Sequence, residues 1–193
     1  ILQATGNRTI TRLGIGTARQ VPTVNAGATA LAYANPITLG TESTTTGCTS
    51  IDFTGIPSGV RRSTISGNGM SLSGTADIMI QLGDAGGAET SGYSGSISNI
   101  VGSSASVAAL SAGFRVTASA TAAALHYFQV ILVLENSASF RWSCSIISGS
   151  SVPDTSYCAG IKATSAELDR VRITTTNGSD TFDANGGINI TYE

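Results

Sequence analysis

The sequence predicts an all-β protein, a two-sheet antiparallel β-sandwich of jelly-roll-like type preceded by an extended N-terminal arm. Three observations predict it. From Ile37 onward the apolar residues recur with a period of two, the spacing of strands buried on one face. Clusters of turn-forming residues interrupt that pattern, as in Ile56-Pro57-Ser58-Gly59, Gly67-Asn68-Gly69, Gly83-Asp84-Ala85-Gly86-Gly87 and Asn177-Gly178-Ser179-Asp180. Finally, 11% of the 193 residues are charged against 41% hydrophobic, with 23 glycines, a composition too apolar for disorder and suited to short strands joined by turns.

Residues 1–36 read as the arm. Small residues and turn signals recur there (Thr5-Gly6-Asn7, Asn25-Ala26-Gly27), and no run is apolar enough to close a core. Such a segment is ordered by wrapping around a neighbouring subunit. Asn35-Pro36 marks the start of the sandwich, residues 37–193.

Within the sandwich, Ile51 and Phe53 point inward around Asp52. Ile78, Ile80 and Leu82 share a face, with Met79 and Gln81 opposite. Ser104 to Ala112 is rich in Ala but too short and faceless for a convincing helix. Leu125 to Leu134 (LHYFQVILVL) is apolar on both faces and predicts a central strand covered on both sides. Phe140, Trp142, Cys144 and Ile146 alternate with Arg141, Ser143 and Ser145. Val171 and Ile173 alternate with arginines, and Ile188, Ile190 and Tyr192 end the chain. Nine or ten strands at this spacing make a sandwich.

Composition also bounds function. A net charge of −2, a single Lys (Lys162) and nine scattered Arg give no footprint for nucleic acid. The longest apolar run, Phe128 to Leu134, is too short for a helix that inserts in a membrane. The chain opens at Ile1 with no visible leader, as expected of a cut-out or the ordered tail of a longer polypeptide. Three cysteines form no framework. Cys144 and Cys158 lie on neighbouring strands and could face each other, but the simpler expectation is three reduced, buried thiols.

No catalytic constellation stands out, and no cofactor is expected. The one histidine, His126, sits among core residues, where a hydrogen-bonded structural role suits it better than base chemistry. Gly14-Ile15-Gly16 lacks the third glycine of a dinucleotide fingerprint. The long polar loop from Gln81 to Tyr93 has two readings. It could present Tyr93 to a sugar, with Asp84 and Glu89 as acceptors, or it could connect two strands, with Tyr93 opening the second. Asp154 and Tyr157, in SSVPDTSYC, carry the same ambiguity. Asp180 and Asp183, near Asn177 and Asn185, are weak metal candidates, because Asx-turn chemistry accounts for the same residues.

The runs TSIDFTGIPSGVRR, IQLGDAGGAETSGY and LDRVRITTTNGSDTFDANGGINITYE occur in an order that resembles the carboxyl-terminal module of tailed-bacteriophage tail fibres and related virion proteins. RLGIGTARQVPTVNAGATALAYANP resembles the linker that precedes it. RRSTISGNGMSL, from Arg61 to Leu72, departs from the more apolar strand usual there. The resemblance implies a homotrimeric, non-enzymatic β-structured tip on a virion assembled in the bacterial cytoplasm. Its partners would be other virion proteins and a host-surface polysaccharide. The alternative is a capsid decoration or head-fibre protein with a purely structural role.

Overall fold

A computed structural model describes residues 2–5, 9–25, 27–118, 120–183 and 186–193; Gly6, Asn7, Ala26 and Asn185, noted above, lie outside them. Every regular element among the described residues is a strand, and the chain divides into two compact units, Ile1–Thr38 with Glu193, and Leu39–Tyr192.

The first unit consists of two antiparallel hairpins. β1 (Leu2–Thr5) pairs with β2 (Thr9–Arg12), and β3 (Val21–Val24) pairs with β4 (Leu31–Ala34). Asn25 shapes the second turn, its side-chain oxygen accepting from the N–H groups of Thr29 (2.9 Å) and Ala30 (3.2 Å), an Asx arrangement that replaces ladder bonds. None of the described side chains here is buried, and Ile15 is 93% exposed. β5 (Thr38–Leu39) straddles the division.

The second unit is an antiparallel β-sandwich, as the period-two pattern predicts. It contains β6 (Ser43–Thr44), β7 (Ser50–Thr54), β8 (Arg62–Met70), β9 (Ile78–Asp84), β10 (Gly87–Ala88), β11 (Ser94–Val101), β12 (Ser104–Ala109), β13 (Phe114–Arg115), β14 (His126–Asn136), β15 (Arg141–Ser150), β16 (Asp154–Ala163), β17 (Arg170–Thr175) and β18 (Gly187–Tyr192). The large sheet runs β12-β11-β16-β15-β14-β8-β18, with β6 also on β18. The small sheet runs β10-β9-β17-β7, with β13 also on β9.

The register explains the core. Ile97, Cys158, Ile146, Val130, Ile65 and Ile190 stand in one row across six strands of the large sheet. All six are buried, and they join one cluster with Ile80, Leu82, Val171 and Ile173 of the small sheet. Burying such side chains stabilises by about 1.5–3 kcal/mol each before conformational entropy is set against it. Gly67 serves a close approach: a Cβ there would run into the Phe128 ring.

The structure differs from expectation at three places. β14 alternates buried and exposed instead of being covered on both sides, leaving Tyr127 43% and Val133 41% exposed. The reason is that the small sheet covers only one face of the large one. Conversely, Met79 and Gln81 of β9 are buried, because Ser111–Gly113 crosses over them and the Ala112 carbonyl accepts from Gln81 Nε2 at 3.0 Å. Phe140 is not an inward strand residue; it sits in the turn before β15 with φ 48°, a left-handed conformation uncommon for an aromatic. In keeping with an all-β domain, the Ala-rich stretch from Ser104 forms the edge strand β12 and not a helix.

Candidate functional site

The loop from Gly83 to Tyr93 connects β9 to β11, and its polar groups are engaged within the fold. Tyr93 is 6% exposed, which corrects its assignment as a sugar contact. Its hydroxyl accepts from the Leu82 N–H at 2.7 Å and donates to the Glu89 carbonyl at 2.9 Å. Its ring meets Phe114 edge-on at 5.0 Å, and burial pushes its hydroxyl pKa up. Glu89 binds the buried Lys162 ammonium and accepts from the Ser165 N–H at 2.6 Å. Burial acts to raise the Glu89 pKa, but the hydrogen bonds from Lys162 and Ser165 outweigh it and the net shift is downward. Lys162 also donates to the Ala163 carbonyl at 2.7 Å and stands 5.5 Å from the Tyr93 ring centroid. Asp84 accepts from the Ser165 hydroxyl and from the Gly86 N–H (2.7 Å), and these bonds lower its pKa. Asp84 and Glu89 therefore fasten this loop to the turn after β16, through Ser165. Sequence reasoning missed Lys162 and Ser165, which lie over 70 positions from their partners.

The remaining expected residues are separated in space. Tyr157 lies on the outer face of β16 and is 48% exposed, opposite Ile147. Asp154 begins β16, with its N–H donating to the Val152 carbonyl at 2.7 Å. Asp180 accepts from the Ala76 N–H and from Asn177 Nδ2, each at 2.9 Å, which holds its pKa below the usual range. Asp183 accepts from the Ser71 hydroxyl at 3.1 Å. Asn177 accepts in turn from the N–H groups of Ser179 and Asp180, so the Asx-turn chemistry is present. Among the described residues no three His, Cys, Asp or Glu side chains come together as metal ligands.

His126 is 1% exposed with neither ring nitrogen hydrogen-bonded, which corrects the expectation of a bonded histidine. Burial lowers its pKa against the opposing fields of Asp154 and Asp77. An imidazole so enclosed meets no substrate. The three cysteines are free thiols; Cys144 and Cys158 are buried on the same face and stand two residues out of register, Cys144 facing Gly160 and Cys158 facing Ile146. Burial raises the Cys144 pKa well above normal and pushes that of Cys158 up to about 11. Neither is a ready nucleophile.

Two of the open surfaces bear on binding. One is a groove of about 290 Å³ lined by Asp52, Phe53, Thr54, Thr41, Ile190 and Tyr192, where an edge of each sheet meets. Its carboxylate is fixed by Arg172, which donates to both Asp52 oxygens at 2.7 and 2.8 Å. The other is the outer face of the large sheet. No helix among the described residues is long and apolar enough to cross a membrane. Comparison of the chain with family models, with curated proteins and with solved structures gave no match in any of the three.

Proposed function

We propose that the chain is a non-enzymatic structural protein of a bacteriophage virion, the distal part of a trimeric tail fibre that contributes to host-surface attachment. The observation that carries this reading is the use made of its polar side chains. The loop carboxylates are tied to neighbours within the fold, His126 is walled in by core residues, and uncharged surface is left uncovered. A glycan-cleaving enzyme needs the reverse, with two carboxyl groups converging on a cleft. The motif order that resembles tail-fibre ends supplies the placement on a virion, and the free cysteines suit assembly in a reducing cytoplasm.

Attachment falls to the groove beside Asp52 rather than to the Gly83–Tyr93 loop. The half-buried rings of Phe53 and Tyr192 give a sugar apolar faces to rest on, and Thr41 and Thr54 lie beside them with hydroxyls for its polar edge. Each contact is weak, and several copies on one fibre multiply it. Tyr192→Ala particles are expected to adsorb about tenfold less, the effect of about 1.4 kcal/mol per site. Unchanged adsorption removes the groove from the reading.

A capsid decoration or head-fibre protein is the second reading. The exposed Ile15, Val24 and Ile37 of the first unit favour it, because they suit a clamp on neighbouring subunits. Immunogold labelling of intact particles separates the two. Label at fibre tips is expected; label spread over the head supports the decoration protein, and particles without label overturn both.

A further inference from the structure

Within the second unit, none of the described residues covers the outer face of the large sheet. On it Ile100, Tyr127, Val133, Ile147, Tyr157 and Ile161 are all more than 40% exposed, with Ile147 at 60%. These are not isolated. Ile147 lies directly opposite Tyr157, and Val133 and Ile161 both lie opposite Ser143 on the strand between them. Single exposed apolar side chains are ordinary, whereas a connected set marks an interaction surface. Val107, 73% exposed opposite Ser98, and the half-buried Ile131 share this face, and the rest of it is Ser, Thr, Ala, Gly, Gln and Asn. Its formal charges, Arg62, Glu135 and Arg141, stand together at one end, and Glu135 is paired with Arg141.

We propose that this face is buried against copies of the same chain. Charge and area both argue for that occupant. Nucleic acids and charged peptides need complementary charge, which the centre of this face lacks. An uncharged face has no such requirement, and a copy of itself meets it without stranding an ion. The area also suffices. Seven strands at about 4.8 Å spacing and about eight residues of length at about 3.4 Å each offer about 800 Å², and a standard interface uses about 800 Å² per partner. This rests on the reading of the chain as one copy in an assembly, and it names the face such an assembly uses.

The test is sedimentation velocity of the full chain at micromolar concentration, repeated with Ile147→Asp and with Tyr157→Asp. The expected result is a multiple of the 19.5 kDa monomer, with each substitution weakening association at least about 100-fold, because it buries an unpaired carboxylate. Both side chains are exposed in a single copy, so circular dichroism of the dissociated variants still shows a folded β-protein that melts cooperatively, at a temperature lowered only by the lost association. A dimer supports the face and contradicts the trimeric fibre, so the two readings fail separately. A monomeric parent overturns the proposal, as does an oligomer that survives both substitutions. Binding of host polysaccharide by a monomer, lost in Tyr157→Ala, hands the face to a glycan and overturns it as well.

Discussion

His126 and Lys162 are buried to nearly the same degree and meet opposite treatment. His126 has no hydrogen-bond partner, so the fold accepts it only as the neutral imidazole. Its folded pKa is depressed below the ordinary 6.5. The unfolded chain therefore takes up a proton at about pH 6.5 that the folded chain refuses. Stability is full above that pH and declines as pH falls below it. The melting temperature is expected to drop between pH 7.5 and 5.5, and His126→Leu is expected to flatten that part of the profile; an unaltered slope in the variant assigns it to other groups. Lys162 is paired with Glu89, with side-chain exposures of 6% and 22%. Glu89→Gln leaves an ammonium buried with weakened compensation and is expected to cost about 3–5 kcal/mol in urea unfolding. Arg141→Ala breaks an exposed, solvent-screened pair and is expected to leave the urea midpoint nearly unchanged.

At the scale of elements, close fit between strands is set by residues with little side chain. Gly67 of β8 admits the Phe128 ring of β14, and Gly67→Ala is expected to destabilise by about 1–3 kcal/mol through overpacking, read from the urea midpoint. The same strands bear on how much of the fold the sequence discloses. β17 and β18 are legible because Val171/Ile173 and Ile188/Ile190 alternate with polar residues and do so in the structure. β14 is legible as a strand but not as half-covered, since a side chain's hydrophobicity does not say which sheet lies over it. β9 errs the other way: Met79 and Gln81 are covered by a crossing segment some 30 residues distant, a tertiary event without a local signal. The candidate site was less legible still. Tyr93, Asp84 and Glu89 are polar residues in a polar loop, as a contact surface would be. Only the distant positions of Lys162 and Ser165 disclose that they are internal ties.

The sandwich combines local hairpins with pairings far apart in sequence. β7 pairs with β17, Asp52 binds Arg172 across 120 positions, and β18 closes against β8. Such topologies fold slowly, because long loops close before their contacts stabilise the result. Truncation after Gly186 removes β18, with the buried Ile188 and Ile190, and uncovers an edge of β8. The expected outcome is loss of cooperative unfolding by circular dichroism. A truncated chain that melts as sharply as the parent refutes the view that the last strand completes the sandwich.

The reduced cysteines give this molecule a built-in clock. Cys144 and Cys158 lie inside the sandwich as protonated thiols, closed to alkylating reagents while the sheets stay together, whereas Cys48 is partly exposed. Modification of Cys48 therefore times local access, and modification of the inner two times the parting of the sheets. Mass spectrometry of the singly and triply modified chains then measures how often the sandwich opens, without denaturant and with no engineered probe.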